Sequence, residues 1–295
     1  MSDDISIQFT RFSAFYTPLI ATIAGGFLAQ EGFRPRHSVA PAGRSAIEGL
    51  VDGSAHVCQS APSQAFGPLE RGQAPPAVHF AQINEMDGFF ITGRAADAAF
   101  SWEKLRGARV LVDHGGQPLA MFKYACHRRG LDFTAIQALH VPSGEMEARF
   151  RKGEGDYIHL QGPHPQQLEH DEVGHVVAPV GPAIGPCAFS SLAATREWLR
   201  GDAARRFMRA YRKARAWVVT SPAAAIAEAE APYFPDIDRA VLTATIAAYQ
   251  TLGCWTPHVE ITRPALDVAI DVFIHAGQIT RRPRYEDVVA PPPAD

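Results

Sequence analysis

The side chains best suited to bind a ligand or take part in a reaction follow the first predicted strand, in the segment from Thr10 to Tyr16. It carries a guanidinium, hydroxyl groups and aromatic rings, on Thr10, Arg11, Phe12, Ser13, Phe15 and Tyr16. The guanidinium can pair in bidentate fashion with a carboxylate or sulfonate, and the rings can stack on a planar ligand. A helix predicted from about Thr17 to Gln30 adds the unpaired N–H groups of its first turn. We therefore expect one wall of a cleft for a small planar or anionic molecule, the alternative being an ordinary turn that packs its aromatics in the core or at the surface.

Strand-to-helix turns recur along the first third of the chain. Arg44 and Ser45 precede a predicted helix, with Ser45 as its N-cap, and Gln59 and Ser60 follow the next predicted strand. In an open α/β sheet such turns gather at the carboxyl ends of the strands, where ligands bind. Arg44 is therefore a second candidate partner for an acidic group, unless both arginines are solvated surface residues. Because strands alternate with helices, mostly parallel sheets are expected.

A further candidate turn is Asp113-His-Gly-Gly-Gln-Pro118. Gly115 and Gly116 permit close approach of the backbone to a ligand, and the N–H groups ahead of the next helix could hold a carboxylate, phosphate or sulfonate. His114 lies where a catalytic base or a ligand donor would lie, so a decarboxylation assisted by histidine and arginine stays open. The turn is not a Walker P-loop, because the Gly-Lys-Ser/Thr ending is absent.

Composition and charge exclude several classes of protein. With 295 residues, 46% of them hydrophobic and 20% charged, the chain is long enough for one large globular domain or two lobes. A net charge of -3 without a basic stripe argues against nucleic acid as a partner. No apolar run reaches the ~18 residues of a membrane span. The acidic start lacks a secretory signal, so we expect a cytoplasmic protein, or a periplasmic one if a signal was removed.

The cysteines and histidines do not form a metal-binding motif. The four cysteines are widely spaced and are expected to be buried thiols, at Cys58, Cys126, Cys187 and Cys254. The segment from His159 to His175 is rich in histidine, but His170 and His175 are five residues apart and would face different sides of a helix. We expect a solvated loop there, no metal site and no cofactor.

Four segments carry a resemblance to a known family, namely "GGFLAQEGF" (25–33), "AIEGLVDGSAHV" (46–57), "WEKLRGARVLV" (102–112) and "FRKGEGDY" (150–157). With them the chain resembles the type II periplasmic binding proteins, in the branch of the nitrate, taurine and alkanesulfonate binding proteins and the thiamine-pyrimidine-precursor proteins. The resemblance implies an α/β fold of two lobes, with mostly parallel sheets and one antiparallel crossover strand per lobe. The first lobe would comprise residues 1–85 and 187–295, and the second residues 86–186, with hinges at 84–88 and 185–188. We expect residues 289–295 to be a disordered tail.

The resemblance also implies which turns meet at a ligand cleft between the lobes. The candidate ligand-binding residues are Thr10, Arg11, Phe12, Phe15, Tyr16, Arg44, Ser45, Gln59, Ser60, Asn84, His114, Gly115, Gly116, Gln117 and Gln161. The implied function is a solute-binding protein for a small planar or anionic ligand, with an ABC permease as its partner. The alternative is a cytoplasmic enzyme on the same scaffold, a decarboxylase or desulfinase-like lyase acting on a small aromatic acid. Ser13 argues against the desulfinase, because a hydroxyl lacks the nucleophilicity of a thiolate.

Overall fold

A computed structural model describes residues 3–113 and 115–294, apart from the side chain of Ser143. The candidate residue His114 lies outside the described residues. The strands, in chain order, are β1 (Asp3–Phe9), β2 (Phe33–Val39), β3 (Val57–Ser60), β4 (Val78–Asn84), β5 (Phe89–Gly93), β6 (Arg109–Asp113), β7 (Gln137–Val141), β8 (Tyr157–Gln161), β9 (His175–Pro179) and β10 (Ser190–Ala194).

These strands form two five-stranded sheets. The first has the order β2-β1-β3-β10-β4 and the second the order β7-β6-β8-β5-β9. β10 is antiparallel to both of its neighbours, and so is β5, whereas the other pairs are parallel. The predicted class, a two-lobed α/β fold with one antiparallel strand in each mostly parallel sheet, is confirmed.

Helices surround both sheets. They are α1 (Thr17–Ala24), α2 (Phe27–Gln30), α3 (Ala46–Val51), α4 (Phe66–Glu70), α5 (Gly116–Arg128), α6 (Met146–Arg151), α7 (His164–His170), α8 (Gly181–Ile184), α9 (Asp202–Thr220), α10 (Ala223–Glu230), α11 (Arg239–Leu252), α12 (Arg263–His275) and α13 (Tyr285–Val288). Within the described ranges, no helix combines the length and apolar character needed to cross a membrane.

Two helices differ from the sequence-based expectation. The first helix ends at Ala24 and does not run on to Gln30, because Gly26 takes a left-handed conformation with φ 71°. The histidine-rich segment contains α7 and is therefore not simply a loop between two strands. Its last residue is His170, whereas His175 begins β9.

The two crossovers between the sheets are joined to each other. One runs from β4 to β5 and the other from α8 to β10, and the N–H of Cys187 donates to the carbonyl of Glu85 at 2.8 Å. A Cβ on Gly88 would come within 2.2 Å of the Phe15 ring, so glycine permits close packing of the first crossover. The sheets are thereby held against a common apolar core.

Residues 289–294 differ from the disordered tail that we expected. Val289 forms a bridge with His79 of β4, and the N–H of Ala290 donates to the carbonyl of His79 at 2.9 Å. Arg212 of α9 donates to the carbonyl of Pro293 at 2.8 Å. Backbone pairing and a buried Val289 side chain hold this segment against the first sheet, although proline-rich composition suggested otherwise.

Candidate ligand-binding cleft

Two adjoining cavities lie between the sheets, where loops from the ends of β1, β3, β6 and β8 meet. The first has a volume of about 180 Å³ and the second of about 240 Å³. Three side chains line both, those of Arg11, Phe89 and Gln161. The predicted turns after β1, β3 and β8 therefore converge on one cleft, joined by the first turn of α5.

Most of the residues that line the first cavity have side chains that can form hydrogen bonds. Of the candidate residues, those that line it are Thr10, Arg11, Tyr16, Gln59, Ser60, Gln117 and Gln161. Gln64 and Ser190 also line it and were not foreseen. No aspartate or glutamate of the described residues does so. The cavity thus offers donors and a positive charge, the combination that an anionic group requires.

Gln59 is held so that its amide nitrogen remains available. Its Oε1 accepts from the backbone N–H groups of Thr10 and Arg11, at 3.0 and 3.4 Å. The Thr10 hydroxyl donates to the Gln59 carbonyl at 2.9 Å, which ties the turn after β1 to the end of β3. Both of these hydrogen bonds to the Gln59 side chain use Oε1, which leaves Nε2 as a donor for a ligand.

Gln161 is a buried polar side chain of the first cavity with an unpaired donor. It is only 5% exposed, and its Nε2 has no hydrogen-bond partner among the described residues. Burial raises the pKa of the neighbouring Tyr16 phenol. A buried amide donor without an acceptor is costly, so a ligand oxygen at this position would relieve that cost.

Gln117 connects the two halves of the cleft. Its Oε1 accepts from the Ser63 hydroxyl at 2.6 Å, and its Nε2 donates to the Phe189 carbonyl at 2.8 Å. Gly115 and Gly116 lie outside both linings and start α5, which has no side-chain cap at its N-terminus. The first turn of α5 contributes Gln117 and Pro118 to the first cavity.

Two polar contacts cross the cleft from the turn after β1. Arg11 Nη2 lies 3.6 Å from Asp113 Oδ2 at the end of β6. The Ser13 hydroxyl donates to the Gly162 carbonyl, after β8, at 2.6 Å. Arg11 is thus balanced by an acidic side chain of the opposite sheet.

The second cavity includes residues that sequence reasoning missed. Phe12, which was predicted, lines it together with Phe89 and His159. The His159 ring lies between the rings of Phe89 and Phe122, with centroid distances of 4.6 Å on both sides. Strand alternation could have identified His159, because residues two apart share a face and Gln161 was already a candidate.

Several candidates are not brought to the cavities. Phe15 is fully buried and packs against Phe189 and Tyr249, with centroid distances of 5.3 and 4.9 Å, so it belongs to the core. Asn84 is also a structural residue, since its Nδ2 donates to Ser190 and its Oδ1 accepts from Trp255, both at 2.8 Å. These two corrections have one cause, the tight packing around the crossovers.

Arg44 and Ser45 likewise line neither cavity. Arg44 is exposed and binds Glu48 at 3.1 Å and Asp52 at 2.6 Å. The Ser45 N–H donates to Glu48 Oε1 at 3.2 Å, at the start of α3. Acidic residues one and two helical turns further along therefore satisfy the arginine that we expected to bind an anion.

The next question is whether side chains of the described residues could bind a metal ion or act as nucleophiles. Across residues 3–113 and 115–294, no three His, Cys, Asp or Glu side chains are grouped so that they could hold an ion. The four cysteines are buried and unbridged, and burial raises the pKa of the Cys126 thiol to about 12. Such thiols are poor nucleophiles at neutral pH.

Solved structures of similar fold come from solute-binding proteins. The periplasmic aliphatic sulphonate binding protein SsuA of Escherichia coli superposes with a TM-score of 0.76 at 15% identity, over 100% of this chain and 94% of that chain. The alkanesulfonate-binding protein SsuA of Xanthomonas axonopodis pv. citri, bound to MOPS, gives a TM-score of 0.75 at 16% identity, over 99% and 100%.

A curated relative and a family model match the sequence itself. The "Putative binding protein YtlA" of Bacillus subtilis (strain 168) is 24% identical over 292 residues, which cover 97% of this chain and 87% of that protein. The model described as the NMT1-like family matches residues 12–231. That match spans well over half of the sequence, and the chain therefore belongs to the NMT1-like family.

Proposed function

We propose that this protein is a solute-binding protein that holds one small anionic organic ligand between its sheets and delivers it to an ABC-type permease. The observation that carries the proposal is the composition of the first cavity, which has hydrogen-bond donors and an arginine but no carboxylate among the described residues. Arg11 and the amide nitrogens of Gln59 and Gln161 supply donors, and no described carboxylate lines the cavity. A carboxylate or sulfonate has several acceptor oxygens and would satisfy these donors together.

The division into lobes is part of this proposal. Strands β1 to β4 and β10 lie in one sheet and β5 to β9 in the other, which supports lobes of residues 1–85 with 187–295 and of residues 86–186. Entry of a ligand would then require the lobes to separate at the two crossovers. Separation would break the Arg11–Asp113 ion pair and the Ser13–Gly162 hydrogen bond, both of which cross the cleft.

The comparisons support the type of ligand and the partner. The two structural neighbours are named as binding proteins for sulfonates, and the one from Escherichia coli is named as periplasmic. By analogy, this protein would capture its ligand outside the cytoplasmic membrane and present it to a permease. The analogy is one of fold, so the ligand class rests on the cavity itself.

The proposal is tested by comparing anions with matched neutral molecules. Methanesulfonate, benzoate and orotate would be titrated beside their amides, with binding followed by calorimetry and by the melting temperature. We expect the anions to bind and the amides to bind much more weakly. Arg11→Ala should weaken anion binding roughly 10- to 100-fold, because a charge-assisted hydrogen bond is lost.

Arg44→Ala is the matched control. It also removes a guanidinium, in the segment between β2 and α3, but Arg44 lines neither cavity, so anion binding should not change. Equal binding of amides and anions, or the absence of any anion binding, would contradict the proposal. An effect of Arg44→Ala as large as that of Arg11→Ala would show that the anion lies elsewhere.

A further inference from the structure

The second cavity contains a histidine that packing does not explain. His159 is 1% exposed, and neither ring nitrogen has a hydrogen-bond partner among the described residues. Each buried polar atom left in this state costs roughly 1–3 kcal/mol. A phenylalanine would preserve the stacking with Phe89 and Phe122 without that cost. Native proteins rarely keep such atoms, and a ligand that pairs with them is one reason to do so.

The protonation state of His159 defines what it can recognise. Burial lowers its pKa to about 3, so the ring is neutral at physiological pH. A neutral imidazole has one N–H donor and one acceptor nitrogen. It can therefore pair with a group that both donates and accepts a hydrogen bond, and it offers no charge to an anion.

The position of His159 links this requirement to the anion-binding cavity. Phe89 stacks on His159 and also lines both cavities, as do Arg11 and Gln161. A molecule whose anionic end lies in the first cavity would reach the second by passing Phe89. There it would meet aromatic and apolar side chains together with polar ones, among them Asp113 as an additional acceptor and His164.

We propose that the second cavity receives a planar, uncharged group of the same ligand, one that both donates and accepts hydrogen bonds, and that His159 selects it. The inference rests on the proposed function, because the anionic end positions the rest of the molecule. The ligand class is therefore a heterocyclic or amide-bearing carboxylate or sulfonate. A simple alkyl or phenyl acid would leave His159 unpaired.

Matched carboxylates provide the test. Orotate and benzoate are both planar ring carboxylates, but only orotate has ring N–H and carbonyl groups. 4-(Aminomethyl)benzoate instead carries a cation that could pair with Asp113. We expect the wild-type protein to bind orotate at least about tenfold more tightly than benzoate, as one or two buried hydrogen bonds imply. His159→Phe should reduce this preference to less than about threefold while benzoate affinity is kept.

His79→Phe is the control variant. His79 is also 1% exposed, but it lies in the first sheet and is hydrogen-bonded to Ser191. Its substitution should leave the preference for orotate intact. If His159→Phe does not fold, as judged by circular dichroism, His159→Met removes the same nitrogens with a more adaptable side chain.

The outcomes separate this inference from the proposed function. If benzoate or 4-(aminomethyl)benzoate binds as tightly as orotate, or if His159→Phe keeps the preference, the inference is overturned and the proposed function stands. If neither these carboxylates nor methanesulfonate binds to the wild-type protein, the proposed anionic ligand is refuted, and the inference falls with it. Loss of the preference in His159→Phe alone supports the inference.

Discussion

Two equally buried histidines, one in each sheet, differ in their hydrogen bonding. His79 in β4 and His159 in β8 are each 1% exposed, and burial lowers the pKa of both to about 3. His79 Nδ1 lies 2.7 Å from the Ser191 hydroxyl, whereas His159 has no partner among the described residues. At the same burial, we therefore expect His79 to raise the free energy of unfolding and His159 to lower it.

The contrast extends to neighbouring residues. In the first lobe the fully buried Arg215 donates to the carbonyl oxygens of Gln82, Ile83 and Thr256. In the second, β8 alone contains unpaired nitrogens on two of its five residues, and both of these residues line the cleft. Of the six buried side-chain atoms without a partner among the described residues, three belong to these two cleft residues, where a ligand could satisfy them. The other three are Asp87 Oδ2, Thr92 Oγ1 and Glu230 Oε1. The unpaired Thr92 Oγ1 lines neither cavity, and nothing in the structure explains it.

The largest loss of stability is expected from Arg215→Met, which removes a buried guanidinium that donates several hydrogen bonds. Three carbonyl oxygens would lose a donor, so the free energy of unfolding should fall by about 3 kcal/mol or more. Urea unfolding of the ligand-free protein measures the change. Arg205→Met, on the exposed side of α9, is the control and should have little effect. Equal losses in the two variants would mean that burial of Arg215 does not matter.

Asp87→Asn tests an unsatisfied group outside the cavities, in the crossover from β4 to β5. Asp87 Oδ1 accepts from the Phe89 N–H at 2.7 Å, but its Oδ2 has no partner within the described ranges. Burial raises the pKa of this carboxyl from 3.8 to about 7. The folded state therefore holds a proton that the unfolded state releases between about pH 4 and 7, and the stability of the wild-type protein falls as the pH rises through that window.

The variant lacks this titration. The expected quantity is the free energy of unfolding of Asp87→Asn minus that of the wild-type protein. This difference should be roughly 2–3 kcal/mol larger at pH 8 than at pH 5. Unfolding curves at the two pH values give the difference. A constant difference between variant and wild type across this range would show that the buried carboxyl is solvated or paired in the folded protein.

Local chemistry explains which parts of the cleft could be predicted from the sequence. Gln59 and Gln161 were found because they lie at or next to the last residue of strands whose type is evident from alternation and flanking residues. Arg44 was misassigned, although Glu48 and Asp52 four and eight residues later already indicated pairing within a helix.

Other parts of the cleft depend on contacts distant in sequence. Phe12 and Phe15 lie in the same turn, yet one lines a cavity and the other is core, because Gly88 and Tyr249 enclose only Phe15. No pattern within the turn distinguishes them. The missing partners of His159 are also a property of the folded neighbourhood, although its place on the cleft-facing side of β8 could have been read from alternation.

The smallest effects come from replacing the two histidines, and they bear most directly on the comparison between the sheets. At pH 7, His79→Phe leaves the Ser191 hydroxyl without its partner, so the free energy of unfolding should fall by about 1–3 kcal/mol. His159→Phe removes two unpaired nitrogens and keeps the stacking, so the ligand-free protein should be unchanged or more stable by about 1 kcal/mol.

Unfolding at acidic pH tests whether His79 and His159 are equally buried in solution. Both histidines are neutral when folded and bind a proton when unfolded, so each lowers stability as the pH falls from about 6.5 toward 3. Either substitution should therefore reduce the acid slope by the same amount, about 1 kcal/mol between pH 6 and pH 5. Equal acid slopes with opposite effects at pH 7 would establish that the histidines share burial and differ in partners. If both variants are equally destabilised at pH 7, His159 has a structural partner in solution, and its role in selecting a ligand loses its physical basis.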